Sequence, residues 1–131
     1  EEIEKNATAS EDEIVKAKVD ALYARLLVKR IAETGYSEES DTIEIELQAI
    51  RIGSCLLLAL PVELFVEIGL RVKKHSPFPN TYIVGYSNGH LGYLPSQETY
   101  EEGGYEAVSS RFAPEAPGII EEKLLELANR L

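Results

Sequence analysis

The chain has 131 residues, 44% apolar and 27% charged, the balance of an ordinary globular protein with room for one core. Thirteen Lys and Arg against 23 Asp and Glu give a net charge of -10, which leaves no basic face for a phosphate backbone and repels an anionic membrane surface. No apolar stretch approaches the roughly 20 residues that span a bilayer, so nucleic acid and a transmembrane segment both drop out of the reading.

Residues 1–10 are polar and acidic and read as an N-terminal segment ahead of a single α/β domain over 11–131. Ser10, followed three residues later by Glu13, has the capping-box pattern and predicts a helix to about Thr34, ended by Gly35. Along it Val15, Val19, Leu22 and Leu26 form one stripe, with Tyr23, Leu27 and Ile31 beside it. A stripe that wide predicts burial on more than one side. Thr42 to Leu47 alternates strictly, with Ile43, Ile45 and Leu47 on one face, and predicts a half-exposed strand. The phase shifts at Ile50 and Ile52, which points to a bulge. Gly53-Ser54 suits a type II′ hairpin turn, and the run to Leu60 is apolar throughout, as in a strand covered on both faces. Cys55, the one cysteine, lies in that run; it can form no internal disulfide and reads as a small core residue.

Pro61 stops this strand and predicts a helix over 63–75, with Phe65, Ile68 and Val72 on one side and Lys73, Lys74 and His75 in the last turn. Ser76-Pro77-Phe78-Pro79 breaks the helix. Thr81 to Tyr86 reads as a second buried strand, Asn88 to Gly104 as a Gly-rich loop, and Ile120, Leu124, Leu127 and Leu131 as a closing helix. The fold class is α/β: helices packed on a small mixed sheet that contains a β-hairpin and a βαβ unit. In such parallel units ligands gather at the carboxyl ends of the strands. Glu63 follows one strand and Asn88 to Tyr93 follow the other, about 5 Å apart if the strands are neighbours or about 10 Å with one strand between.

Each residue that stands there has a plain structural reading. Glu63 suits the first turn of a helix, where the dipole favours an acid. Asn88-Gly89 is a turn signal, Tyr93 an anchor for the loop, and His90 a solvated histidine. Gly103-Gly104 permits positive φ or close backbone approach.

Taken in order, these residues resemble a family. A buried strand ending in Pro61-Val62-Glu63 is followed by Gly69 and Arg71, then Ser87-Asn88, Tyr93, Tyr100, and Tyr105-Glu106 before small residues. From about Ile50 onward this resembles the C-terminal part of the catalytic domain of the neutral, non-lysosomal ceramidases. The resemblance implies part of a larger catalytic domain that hydrolyses an amide (N-acyl) bond with metal-activated water. It implies one zinc ion, held by Glu63 and Tyr93 together with two histidines from the N-terminal half of the parent chain. His75 and His90 do not match those histidines. It also implies Tyr105 as the catalytic phenol that donates a hydrogen bond to the reacting carbonyl oxygen. The helix after Glu63 departs from the family pattern beyond Gly69 and Arg71, so the implied substrate is an N-acyl or lipid-like compound rather than ceramide in particular. The chain opens at Glu1 with no methionine anywhere and is expected to be a piece of a longer protein, inactive alone because two ligands underfill a zinc site. The residues also fit a non-catalytic α/β module whose acidic loops bind a protein partner, or a family member that has lost its metal. Nothing in the sequence fixes the compartment.

Overall fold

The computed structural model describes residues 10–34 and 42–131, in two compact units, Glu1–Asp41 and Thr42–Leu131. In the first, helix α1 (Glu11–Thr34) opens with the capping box. Ser10 Oγ accepts the Glu13 N–H at 3.3 Å and Glu13 Oε2 accepts the Ser10 N–H at 2.7 Å, so two donors that the helix leaves orphaned are satisfied reciprocally. Burial does not follow the width of the stripe: Val15 and Leu22 are each 54% exposed and Val19 is exposed too. An apolar stripe makes a face available for burial, and something must still cover it. The side chains of Tyr23, Leu26, Leu27 and Ile31, and Gly35 itself, lie outside the described residues.

The second unit runs β1 (Gln48–Ile52), β2 (Cys55–Ala59), β3 (Glu63–Leu64), α2 (Val66–His75), β4 (Asn80–Val84), β5 (Tyr93–Leu94), α3 (Gln97–Glu102), α4 (Tyr105–Ser109) and α5 (Ala116–Asn129). One sheet has the order β1-β2-β4, antiparallel then parallel, and β3 pairs with β5 in a second. The mixed sheet, hairpin and βαβ unit therefore form as the pattern predicts. Ile52 faces Cys55 across the hairpin, leaving Gly53-Ser54 as a two-residue turn, and Gly53 at φ 61 supplies the positive dihedral that a type II′ turn needs at that position.

Several boundaries move. Residues 42–47 form no strand despite their alternation, and β1 begins at Gln48. The reason lies across the ladder. Leu60 spends its N–H on Val84 and its carbonyl on Ser87, while Pro61 has no N–H and gives its carbonyl to Leu91, so neither residue has a backbone group left for β1. The hairpin register is also one-for-one from Gln48 to Ile52, with no bulge; Ile50 and Ile52 simply face outward. The helix starts at Val66 rather than residue 63, because Glu63 and Leu64 are extended in β3 against β5 and Phe65 is still extended at ψ 143, with the N–H groups of Glu63 and Phe65 bonded to the carbonyls of Gly92 and Leu94. The stretch 88–104, read as a loop, contains β5 and α3.

The core lies on one face of the three-stranded sheet. Leu56 and Leu58 of β2 point there, in register with Thr81 and Ile83 of β4. Ile68 and Val72 from α2 and Ile120, Leu124 and Ala128 from α5 close over them. Each fully buried leucine contributes about 1.5–3 kcal/mol. The other face is open at the flanking strands, where Ile50 and Ile52 of β1 and Tyr82 and Val84 of β4 stand exposed, whereas no residue of the central strand β2 is exposed. Among the described residues no helix is long and apolar enough to cross a membrane.

Candidate functional site

The two parallel strands do not part where β2 and β4 end. Leu60 N–H reaches Val84 O at 3.1 Å, and Leu60 O takes the Ser87 N–H at 3.1 Å. Val62 O takes the Tyr86 N–H at 3.4 Å, and Pro61 O takes the Leu91 N–H at 2.7 Å. Glu63 N–H then reaches Gly92 O at 3.0 Å and Phe65 N–H reaches Leu94 O at 3.2 Å. The segments after both strands thus stay side by side and pair again as β3 and β5. Their register sets Glu63 opposite Tyr93, on neighbouring strands about 4.8 Å apart.

Between β4 and β5 the chain must absorb surplus length, and it does so with positive dihedrals at Tyr86 (φ 57), Asn88 (φ 58), Gly89 and Gly92. Asparagine and glycine adopt such values readily; for a tyrosine it is uncommon. The result is that the Tyr86 ring lies flat on His90, with centroids 5.1 Å apart and planes at 15°. His90 Nε2 in turn meets Glu63 Oε1 at 2.9 Å.

The carboxylate of Glu63 is therefore ringed by donors. The hydroxyl of Tyr86, then the imidazole of His90, hold its carboxyl below the usual range. The same hydrogen bond pushes the Tyr86 phenol up to about 12. The negative charge of Glu63 likewise raises the Tyr93 phenol. Tyr93 meets the ring of Tyr105 edge-on, with centroids 5.9 Å apart. Gly103 (φ 81) and Gly104 (φ 110) set up that approach through their positive dihedrals, turning the chain from α3 into α4, which Tyr105 begins.

The fold thus brings Glu63, Tyr93 and Tyr105 into one neighbourhood. Tyr100 is elsewhere employed: its hydroxyl bonds Ser110 Oγ at 2.8 Å and Phe112 O at 3.0 Å, fastening α3 to the segment after α4. Arg71 pairs with Glu121 at 2.7 Å between α2 and α5. His75 Nδ1 sits on the Arg71 carbonyl at the end of α2. From the sequence alone His90 reads as a solvated histidine and Tyr86 as the end of a strand. The four-residue spacing around Asn88-Gly89 was the available signal, since a turn there folds the two rings back toward each other.

A groove of ≈ 530 Å³ opens at this cluster. Phe65, Val66, Leu70 and Ile83 line its apolar part, and Glu63, Tyr86, Tyr93, Glu106 and Lys73 supply its polar groups. The donor chemistry fits part of a zinc site: an ionised carboxylate faces a phenol, and a cation between them would favour loss of the phenol proton. Among the described residues no three His, Cys, Asp or Glu side chains gather in the manner of a metal site.

No protein-family model matches the chain, and no curated protein matches it in sequence. Solved structures do. A ceramidase described as complexed with C2 matches 64% of this chain at a TM-score of 0.58 and 25% identity. The neutral ceramidase from Pseudomonas aeruginosa matches 65% at a TM-score of 0.55 and 27% identity. The chain spans only 14% and 15% of those two chains. In fold, the matched part is an α/β piece similar to a portion of a ceramidase.

Proposed function

We propose that this chain contributes part of the catalytic centre of a zinc-dependent amide hydrolase of the neutral-ceramidase type. Glu63 and Tyr93 are two of the zinc ligands on this reading, and two histidines from the rest of the parent chain complete the set. Bound zinc supplies a Lewis acid and a source of hydroxide near neutral pH. Tyr105, beside Tyr93, donates a hydrogen bond to the carbonyl oxygen of the substrate as negative charge builds on it, and withdraws no proton in doing so. The apolar part of the groove takes the acyl portion of an N-acyl substrate and excludes water from it. By itself the piece is inactive and holds zinc weakly, because two ligands leave the ion underfilled.

The observation that carries this reading is the parallel register of Glu63 with Tyr93, with Tyr105 edge-on to the latter. The likeness to ceramidase structures adds the reaction class. The test is Glu63→Gln in the full-length protein, which keeps the size of the side chain and removes its charge. Zinc content and hydrolysis of an N-acyl substrate should fall together. Full zinc and full hydrolysis in that variant would sink the assignment.

A further inference from the structure

We propose that His90, backed by the ring of Tyr86, is a positioning residue that fixes the orientation of the Glu63 carboxylate. The inference rests on the zinc reading above and assigns work to two residues which that reading leaves idle.

Three observations converge. His90 Nε2 lies 2.9 Å from Glu63 Oε1, a charge-assisted hydrogen-bond distance. An ionised carboxylate only accepts, so Nε2 carries the proton and donates. The imidazole is itself held flat on Tyr86. Tyr86 is kept at φ 57, a conformation that a tyrosine adopts only where its surroundings impose it, and such residues concentrate at functional sites. Here the surroundings are the Tyr86 N–H bond to Val62 O, one residue before Glu63. The turn thus aims two rings at one carboxylate. Neither contact is needed by the hydrophobic core: Tyr86 is 60% exposed and the His90 side chain 55%. The carboxylate of a glutamate turns easily about its terminal χ3 unless an oxygen is held, and holding Oε1 presents the rest of the group to a cation in one pose.

The test uses the full-length protein, stripped of metal and titrated with zinc against a chromophoric chelator. His90→Ala should weaken zinc binding about 10- to 100-fold, the usual consequence of removing a residue that orients a ligand. His90→Gln puts an amide N–H at the same reach and should restore affinity to within about threefold of wild type, an interval well under one decade. Circular dichroism should be unchanged in both, since the side chain is exposed. Wild-type affinity in His90→Ala would overturn the proposal. Equal loss in both variants would overturn it as well, because a residue that glutamine cannot replace is itself a ligand. A wild-type protein that takes up no zinc would bring down the zinc reading first, and this inference with it.

Discussion

Gly85 is the position where the fold and the site are most tightly coupled. A Cβ built there would sit 2.9 Å from the carbonyl oxygen of Val62, whereas ordinary contact begins at 3.4 Å. The carbonyl would have to retreat by about 0.5 Å, the difference of those two distances. It cannot do so freely. Val62 is fully buried, its oxygen accepts the Tyr86 N–H, and the next residue, Glu63, is bonded to Gly92. Gly85→Ala therefore overpacks a pinned segment, at a cost of about 1–3 kcal/mol. Stiffening of the unfolded chain gives back about 0.4–1 kcal/mol. A net loss of about 1.5 kcal/mol lowers the urea midpoint by about 0.7 M for a slope of about 2 kcal/mol/M. Equilibrium urea unfolding followed by circular dichroism measures it. A midpoint equal to that of wild type would show that the Val62 carbonyl moves without penalty, and the close approach of the two segments would lose its role in placing Glu63.

Gly118 is the contrasting case, on the exposed side of α5 with nothing near a built Cβ; Gly118→Ala should raise stability by about 0.5–1 kcal/mol in the same assay, and a loss would refute the open environment. The Tyr86–Glu63 hydrogen bond has a pH window that follows from its two shifts. Because the Tyr86 phenol is raised in the folded state, its contribution is intact below about pH 10, the ordinary phenol value, and is lost as the pH rises through about 12. Because the Glu63 carboxyl is depressed, its contribution is present above the ordinary carboxylate range and is lost as the pH falls through its lower folded value. Tyr86→Phe should therefore be less stable than wild type at neutral pH and converge with it at both extremes, and ultraviolet titration should lose a phenol that ionises at about 12; a difference independent of pH would refute the bond.

What could be read from the sequence is what local chemistry decides. Ser10 and Glu13 cap a helix because both partners lie within one turn, and Gly53 turns a hairpin because glycine alone tolerates its dihedral at no cost. The pairing of two apolar runs around a helix is also legible, and it sets Glu63 near Tyr93. What could not be read depends on distant partners. Pro61 has every local mark of a helix start, yet the residues after it are claimed by Gly92 and Leu94, some thirty positions on. Tyr86 gives no sign in its side chain of a left-handed backbone, and so the contact it sets up between His90 and Glu63 stayed hidden.

Pro61 explains why the site sits where it does. It has no N–H and turns its carbonyl away from β1, so the β1 ladder, which reaches Gln48 opposite Ala59, finds no backbone group to continue on. Its carbonyl still accepts Leu91, so the chain remains bonded to the segment that follows β4. One residue thus ends one ladder and preserves the other.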